Sequence, residues 1–293
     1  MHEVITLALM DYLKSEDFRI TLYLVRKSPL TMLGMTLTIS LILFAILAPY
    51  IAKQDPIEQD PSKRLLPPSP EHPFGTDQLG RDIFSRVIWG SRISLTIAVI
   101  VVAISFSTGT VLGIVAGYFG GKVDELLMRI TDMFMAFPRL ILAMAVAAAL
   151  GPGIFNTVIA MAFVSWVYYA RLSRASTLQV REEMFVEAAR AIGASNLRIL
   201  FKHILPVTIS PVIVQATLDM GGAILTAAAL GFLGLGVQPP TPEWGVMVSE
   251  GRRFITEQWW VSTFPGFAIL LATLGFNLLG DGINDILNVR SRR

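Results

Sequence analysis

The chain has 293 residues, 53% of them hydrophobic and only 16% charged, against about 25% charged in a typical soluble domain. Its formal net charge of +2 argues against a nucleic-acid partner, which usually needs a clustered basic face, and the lack of cysteine excludes disulfides and thiolate metal sites. The apolar residues come in long blocks, the layout that a lipid solvent selects, because about 20 apolar residues carry a helix across a bilayer and only helices and closed barrels satisfy the backbone there.

In chain order, Asp11, Lys14, Glu16, Asp17 and Arg19 interrupt the N-terminus before any apolar core, so it does not read as a cleavable signal. The apolar blocks predict about six transmembrane helices, at 30–51, 94–117, 137–151, 154–170, 207–235 and 262–282: an all-α membrane fold. The segment 53–73 is rich in Pro, Asp and Lys and reads as irregular. The following stretch, 82–89, has apolar residues at helical spacing and is expected to be a short interfacial helix. Gly151-Pro152-Gly153 breaks the chain between the third and fourth blocks and forces an antiparallel hairpin.

An even number of spans puts both termini on one side. With that side inside, the inner segments hold 16 of the 24 Lys and Arg residues, as the positive-inside rule requires of the cytoplasmic face. The layout is then a cytoplasmic segment 1–29, a first span 30–52, an extracytoplasmic loop 53–92, a core 93–285 holding a cytoplasmic loop 171–206, and a cytoplasmic tail 286–293. Trp259 and Trp260 fall at the outer boundary, where aromatic belts occur. Gly109, Gly113 and Gly117 recur every four residues, a stripe that lets another helix approach closely, either within the chain or at a gate or subunit contact.

Asp219 sits inside the fifth block with Gln215 and Thr226 nearby. A carboxylate at membrane depth costs several kcal/mol unless it is paired or faces water, so it marks a translocation path, or is satisfied within the bundle or near the surface. Asn156 and Asn277 are expected to hydrogen-bond between helices, Asn277 being also a candidate for the path. The three histidines, His2, His72 and His203, form no ligand spacing. No nucleophile–base pair is evident. Gly117 to Lys122 is glycine-rich, but Ala116 and Val123 stand where a phosphate-cradling loop needs Gly and Ser or Thr.

The loop between the fourth and fifth blocks is the most informative stretch. Gly193 suits the left-handed position that ends a helix, and Ser195 suits the N-cap of the next. Pro206 either closes that second helix or opens the fifth span. Two short helices with a sharp joint result, and Ala188 and Ala189 leave a low-relief surface beside the acidic Glu187. Glu187-Ala188-Ala189, Gly193 and Leu205-Pro206 match the EAA loop of ABC-importer permeases position by position. The stretch Gly75-Thr76-Asp77-Gln78-Leu79-Gly80-Arg81-Asp82 resembles a signature of the dipeptide/oligopeptide/nickel permease family. Gly117 to Asp124, Met128 to Asp132 and Leu230 to Gly245 are similar to the same family, while Leu287-Asn288-Val289-Arg290 departs from its usual Leu-Asp-Pro-Arg.

The resemblance runs from residue 30 onward and is nearest the second permease of the pair. It implies a type I ABC importer permease with no catalytic residue and no cofactor of its own. ATP and magnesium would be bound by two ATPase subunits. The other implied partners are a homologous permease completing a heterodimeric pore and an extracytoplasmic binding protein, all at the cytoplasmic membrane. It further implies that Glu187, Ala188, Ala189, Gly193, Ser195, Leu205 and Pro206 form the ATPase-coupling loop. Peptides are the implied substrates, with nickel or oligosaccharides as alternatives. A stand-alone channel or secondary transporter is the reading from a different class; it would line several spans with ionisable residues.

Overall fold

The computed structural model describes residues 25–291, with side chains as far as Leu287. The charged residues expected in the N-terminal cytoplasmic segment, Asp11 to Arg19, and Arg292 and Arg293 of the tail lie outside the described residues. The long helices are α1 (Pro29–Ile51), α2 (Ile83–Phe119), α3 (Gly121–Met135), α4 (Arg139–Leu150) and α5 (Ile154–Val180). They are followed by α6 (Met184–Ala191), α7 (Asn196–Ile199), α8 (Leu205–Phe232), α9 (Trp244–Gly251) and α10 (Trp260–Ser291).

The sequence sets the ends of these helices. Ser28 caps α1, accepting from the Thr31 amide at 3.3 Å, with Pro29 in the first turn, where its missing N–H costs nothing. Asp82 caps α2 through the Ser85 amide at 2.7 Å. The stretch 82–89 is not a separate interfacial helix but the first turns of α2, which runs unbroken for 37 residues, about 55 Å at 1.5 Å per residue. No Gly-Pro break separates 89 from 94, so the helix has no reason to stop at the membrane surface.

Four helices, α1, α2, the continuous 196–232 helix and α10, are long and apolar enough to cross a membrane, and a fifth span results if α3 and α4 count as one bent pair. The expected third span, 137–151, is the 12-residue α4, which rises only about 18 Å and cannot cross a core of about 30 Å alone. It is bent by 88° from α3 at the Pro138 break. The 27-residue α5 is long enough, but Asn156, Thr157, Ser165, Tyr168 and Tyr169 dilute its apolarity. Much of α5 is sheathed by protein, so it need not be apolar all round.

The core lies where α2, α5, α8 and α10 meet. Val101 and Ala98 of α2, Ala160 of α5, Ala223 of α8 and Ala272 of α10 belong to one buried cluster. The glycine stripe faces α5: a Cβ on Gly109 would lie 2.2 Å from the Trp166 carbonyl, one on Gly113 2.2 Å from the Ala170 carbonyl, and one on Gly117 2.8 Å from the Thr177 Cβ. Asn156 bonds the Leu150 and Gly151 carbonyls, tying the α4–α5 turn rather than bridging two helices at depth.

The segment 53–82 has irregular backbone but fixed side chains. Arg81 and Arg86 are both buried. Arg81 bonds Asp77 at 2.6 Å and Glu250 at 3.0 Å, and Arg86 reaches Glu250 at 3.3 Å and the Pro56 carbonyl at 2.9 Å. His72 Nδ1 lies 2.9 Å from the Asp82 carboxylate. The Gly-Thr-Asp-x-x-Gly-Arg-Asp stretch is therefore a structural knot that clamps the start of α2 to α9. Gly80 is obligatory in it: its φ is +76°, and a Cβ there would lie 1.8 Å from the Asp60 carbonyl.

Candidate functional site

At the far end of α2 from that knot, the chain folds the 181–206 loop. Helix α6 ends as the sequence predicts. Gly193 has φ +77°, its amide donates to the Arg190 carbonyl at 2.9 Å, and the Ala194 amide donates to the Ala189 carbonyl at 3.0 Å. This pair of bonds is a Schellman motif, which satisfies carbonyls that would otherwise be orphaned. Ser195 then caps α7, accepting from the Arg198 amide at 3.4 Å. The second short helix is not free-standing: α7 runs through a π turn, Leu200–Ile204, directly into α8. Pro206 stands at the start of α8, directly after the π turn, rather than closing the loop.

The loop rests on a second buried cluster formed by Ile114, Tyr118, Val180, Val186, Ala189, Ile199, Leu200 and Ile204. Ala189 is consequently part of the packing and not of the outer surface, which Ala188 and Glu187 share. The alternation follows from helical period: Val186 and Ala189, three residues apart, point inward, and Glu187 and Ala188 point away. Polar contacts brace the cluster. Tyr118 donates to Asn196 at 2.8 Å, the Arg190 guanidinium lies 5.6 Å from the Tyr118 ring centroid, and Arg181 donates to the Gly117 carbonyl at 2.8 Å. Tyr118 and Asn196 sit 78 positions apart, which hid their role in the sequence.

On the outward face of the loop, exposed apolar side chains accompany Glu187, with Glu182 and Glu183 also exposed just before α6. Met184 is 83% exposed and Ile192 85%, with Leu197 and Phe201 also exposed. Close by, Arg174 of α5 bonds Asp124 of α3 at 2.6 Å, and Arg171 pairs with Asp132. Those two aspartates belong to the motifs at 117–124 and 128–132, and they fix α3 alongside α5. The arrangement has no reacting group. It is a rigid apolar platform with a carboxylate at its centre.

The second group of candidate residues surrounds Asp219, which is 8% exposed. Arg139, the first residue of α4, donates to it at 2.8 Å and to Ser165 at 2.9 Å, and Tyr169 donates to it at 3.0 Å. The carboxylate is therefore paired inside the bundle and joins α4, α5 and α8. Gln215, Thr226 and Asn277 are not brought to it. Thr226 bonds the Gly222 carbonyl of its own helix, and Asn277 abuts Gly221, where a Cβ would meet its side-chain oxygen at 2.9 Å. Arg139 was legible as a basic residue beside Pro138, but nothing in the sequence joined it to a residue 80 positions on.

Residues 109–293 match the model of the binding-protein-dependent transport system inner membrane component family. The chain belongs to that family. Residues 18–68 further match the N-terminal transmembrane domain of oligopeptide transport permease C. Among curated relatives, a probable D,D-dipeptide transport system permease of Escherichia coli K12 is 47% identical, covering 92% of this chain and 90% of the relative. A dipeptide transport system permease of Alkalihalophilus pseudofirmus is 48% identical over 91% of this chain and 88% of the relative. A glutathione transport system permease of E. coli O6:K15:H31 is 48% identical over 90% and 87%. A chain of the inward-facing MetNI methionine ABC transporter shares the fold, with a TM-score of 0.55 at 17% identity, covering 70% of this chain and 96% of that one. As a permease of this family the chain is a transport subunit and not an enzyme, and ATP hydrolysis belongs to separate subunits.

Proposed function

We propose that this inner membrane permease moves short peptides into the cell as half of a heterodimeric pore. A homologous permease would supply the other half, two ATPase subunits the work, and an extracytoplasmic binding protein the substrate. The 181–206 loop is the ATPase contact, and both termini face the cytoplasm with it, as the basic-residue bias supports. The observation that carries the reading is the loop's construction. An exposed apolar platform centred on Glu187 is braced from below by Tyr118, Arg190 and Asn196 and is continuous with the spanning helix α8. ATP-driven closure of the ATPases would push this platform, and α8 would carry the displacement into the membrane, alternating access between the two sides. The peptide assignment rests on the relatives named for dipeptide, D,D-dipeptide and glutathione transport.

Asp219, Gln215 and Thr226 recur along α8 at spacings of four and seven residues from Asp219, and we place them, with Asn277, along the translocation path. The pairing of Asp219 with Arg139 keeps that wall close to neutral. The test of the whole reading is reconstitution with ATPases and binding protein, with ATP hydrolysis and dipeptide uptake measured together. Uptake dependent on both partners is expected. Uptake by the chain without ATPases, or no dipeptide uptake by the complete assembly, would overturn the reading.

A further inference from the structure

Arg92 is set apart from the other arginines of the long helices. Arg86, Arg139, Arg171 and Arg174 each have a carboxylate partner. Arg92 is exposed, and its contact among the described residues is the Trp89 ring, 5.0 Å from its guanidinium carbon to the ring centroid. It lies nine residues into α2, about 13 Å from the start of that helix, while the uncharged run that crosses the bilayer continues beyond it. Trp89 marks the same level, since tryptophan concentrates at the boundary between hydrocarbon and headgroups.

Directly along the same face of α2 an apolar cleft opens. Thr96 and Val99, four and seven residues on from Arg92, line it together with Ile42 and Ile46 of α1 and Phe276 of α10. The cleft measures about 500 Å³ and is open to the side, and Ile46 is 63% exposed. One guanidinium at its mouth, apolar walls below, and a place beside the bilayer together describe an amphiphile: a negative head over a hydrocarbon tail. A guanidinium left at the edge of the hydrocarbon is costly without an anion, and a phosphodiester meets it with charge-assisted bonds.

We propose that the α1–α2 cleft is a binding site for an anionic glycerophospholipid, its phosphate on Arg92 and one acyl chain along Thr96, Val99 and Ile46. The lipid belongs to the leaflet on the side of the 53–82 segment, whichever way the chain is inserted. It fastens α1 to the helices of the core at a place where side-chain packing leaves a gap.

The chain has no cysteine, so a single Ile46→Cys substitution can carry a fluorophore on the wall opposite Arg92. The complete importer is reconstituted in phosphatidylcholine vesicles containing phosphatidylglycerol, with one lipid or the other brominated to quench nearby fluorescence. Quenching should favour brominated phosphatidylglycerol by about fivefold, the ratio corresponding to about 1 kcal/mol for one basic side chain at an anionic headgroup. Arg92→Gln should abolish the preference while leaving quenching by brominated phosphatidylcholine intact, and Arg92→Lys should retain most of it. Equal quenching by the two lipids in the parent overturns the proposal. So does quenching by neither, which would mean that another protein covers the cleft. If Arg92→Gln loses quenching by both lipids, the cleft has collapsed, and the parent's ratio with that of Arg92→Lys decides.

Discussion

Three residues bear most of the functional argument. Glu187 is exposed at the centre of an apolar platform, where a basic or amide group on a partner would meet it in a charge-assisted contact of roughly 1.5–3 kcal/mol. Gly193 holds a left-handed backbone that a β-branched residue tolerates poorly, at a cost of about 1–2 kcal/mol. Neither touches the spanning core. Glu187→Lys and Gly193→Val are expected to insert and assemble as membrane proteins, yet uptake should fall at least tenfold and ATP hydrolysis should no longer respond to loaded binding protein. Parent-like stimulation in both variants would remove the coupling role. Asp219 calls for a different measurement because Arg139 is its partner. Removing one side of a buried pair typically costs 3–5 kcal/mol, much of it from the charge left behind. Arg139→Gln alone should therefore lower the thermal midpoint more than the Arg139→Gln, Asp219→Asn double variant does. If the double variant recovers stability but transports poorly, the pair acts in the path; if it transports normally, the pair is scaffolding.

Among the elements, the α2–α5 contact is the closest backbone approach that the sequence announces. Gly109, Gly113 and Gly117 let α2 lie against the carbonyls of Trp166 and Ala170. Gly113→Leu has nowhere to put even its Cβ, so the helices must separate, and overpacking of this kind costs about 1–3 kcal/mol or more. The variant should show a lower thermal midpoint in detergent, whereas Gly266→Leu, where a Cβ meets nothing within 4 Å, should leave it unchanged. Equal midpoints for the two would mean that the stripe is not the tight contact. At the same scale, α3 and α4 show what a composition-based reading cannot resolve. Apolar runs on either side of Ala136-Phe137-Pro138 look like the entry to a span, but Pro138 ends the helix and turns its continuation by 88°.

For the whole molecule, α2 fixes the layout, with the 53–82 knot at one end and the 181–206 loop at the other. As α2 is long and apolar enough to cross the membrane once, those two regions are expected on opposite sides. Cysteines placed singly at Gln59 and Ser195, both exposed, should label with a membrane-impermeant reagent from opposite faces in intact cells, Gln59 from outside. Labelling of Ser195 from outside would invert the orientation drawn from the basic residues. Labelling of both from one side would contradict the crossing itself.

The sequence by itself determined the all-helical membrane class, the family, the end of α6 at Gly193 and the cap at Ser195. The family came from the resemblance of its motifs; the others follow from local physics: apolar runs long enough for a bilayer, a residue without a Cβ, a short side chain that can reach its own backbone. It read the 53–73 stretch as irregular, which the backbone is, but did not show the ion pairs that follow it; it divided α2 in two, and left Ala189 on the surface and Asp219 without a partner. Those were decided by contacts between distant positions. Arg81 and Arg86 meet Glu250 across 169 and 164 residues, Arg139 meets Asp219 across 80, and Tyr118 meets Asn196 across 78. A charge in a sequence says that it must be compensated, but only the packing of helices selects its partner, because in a low-dielectric interior the choice depends on distances of a few ångströms that no local pattern encodes.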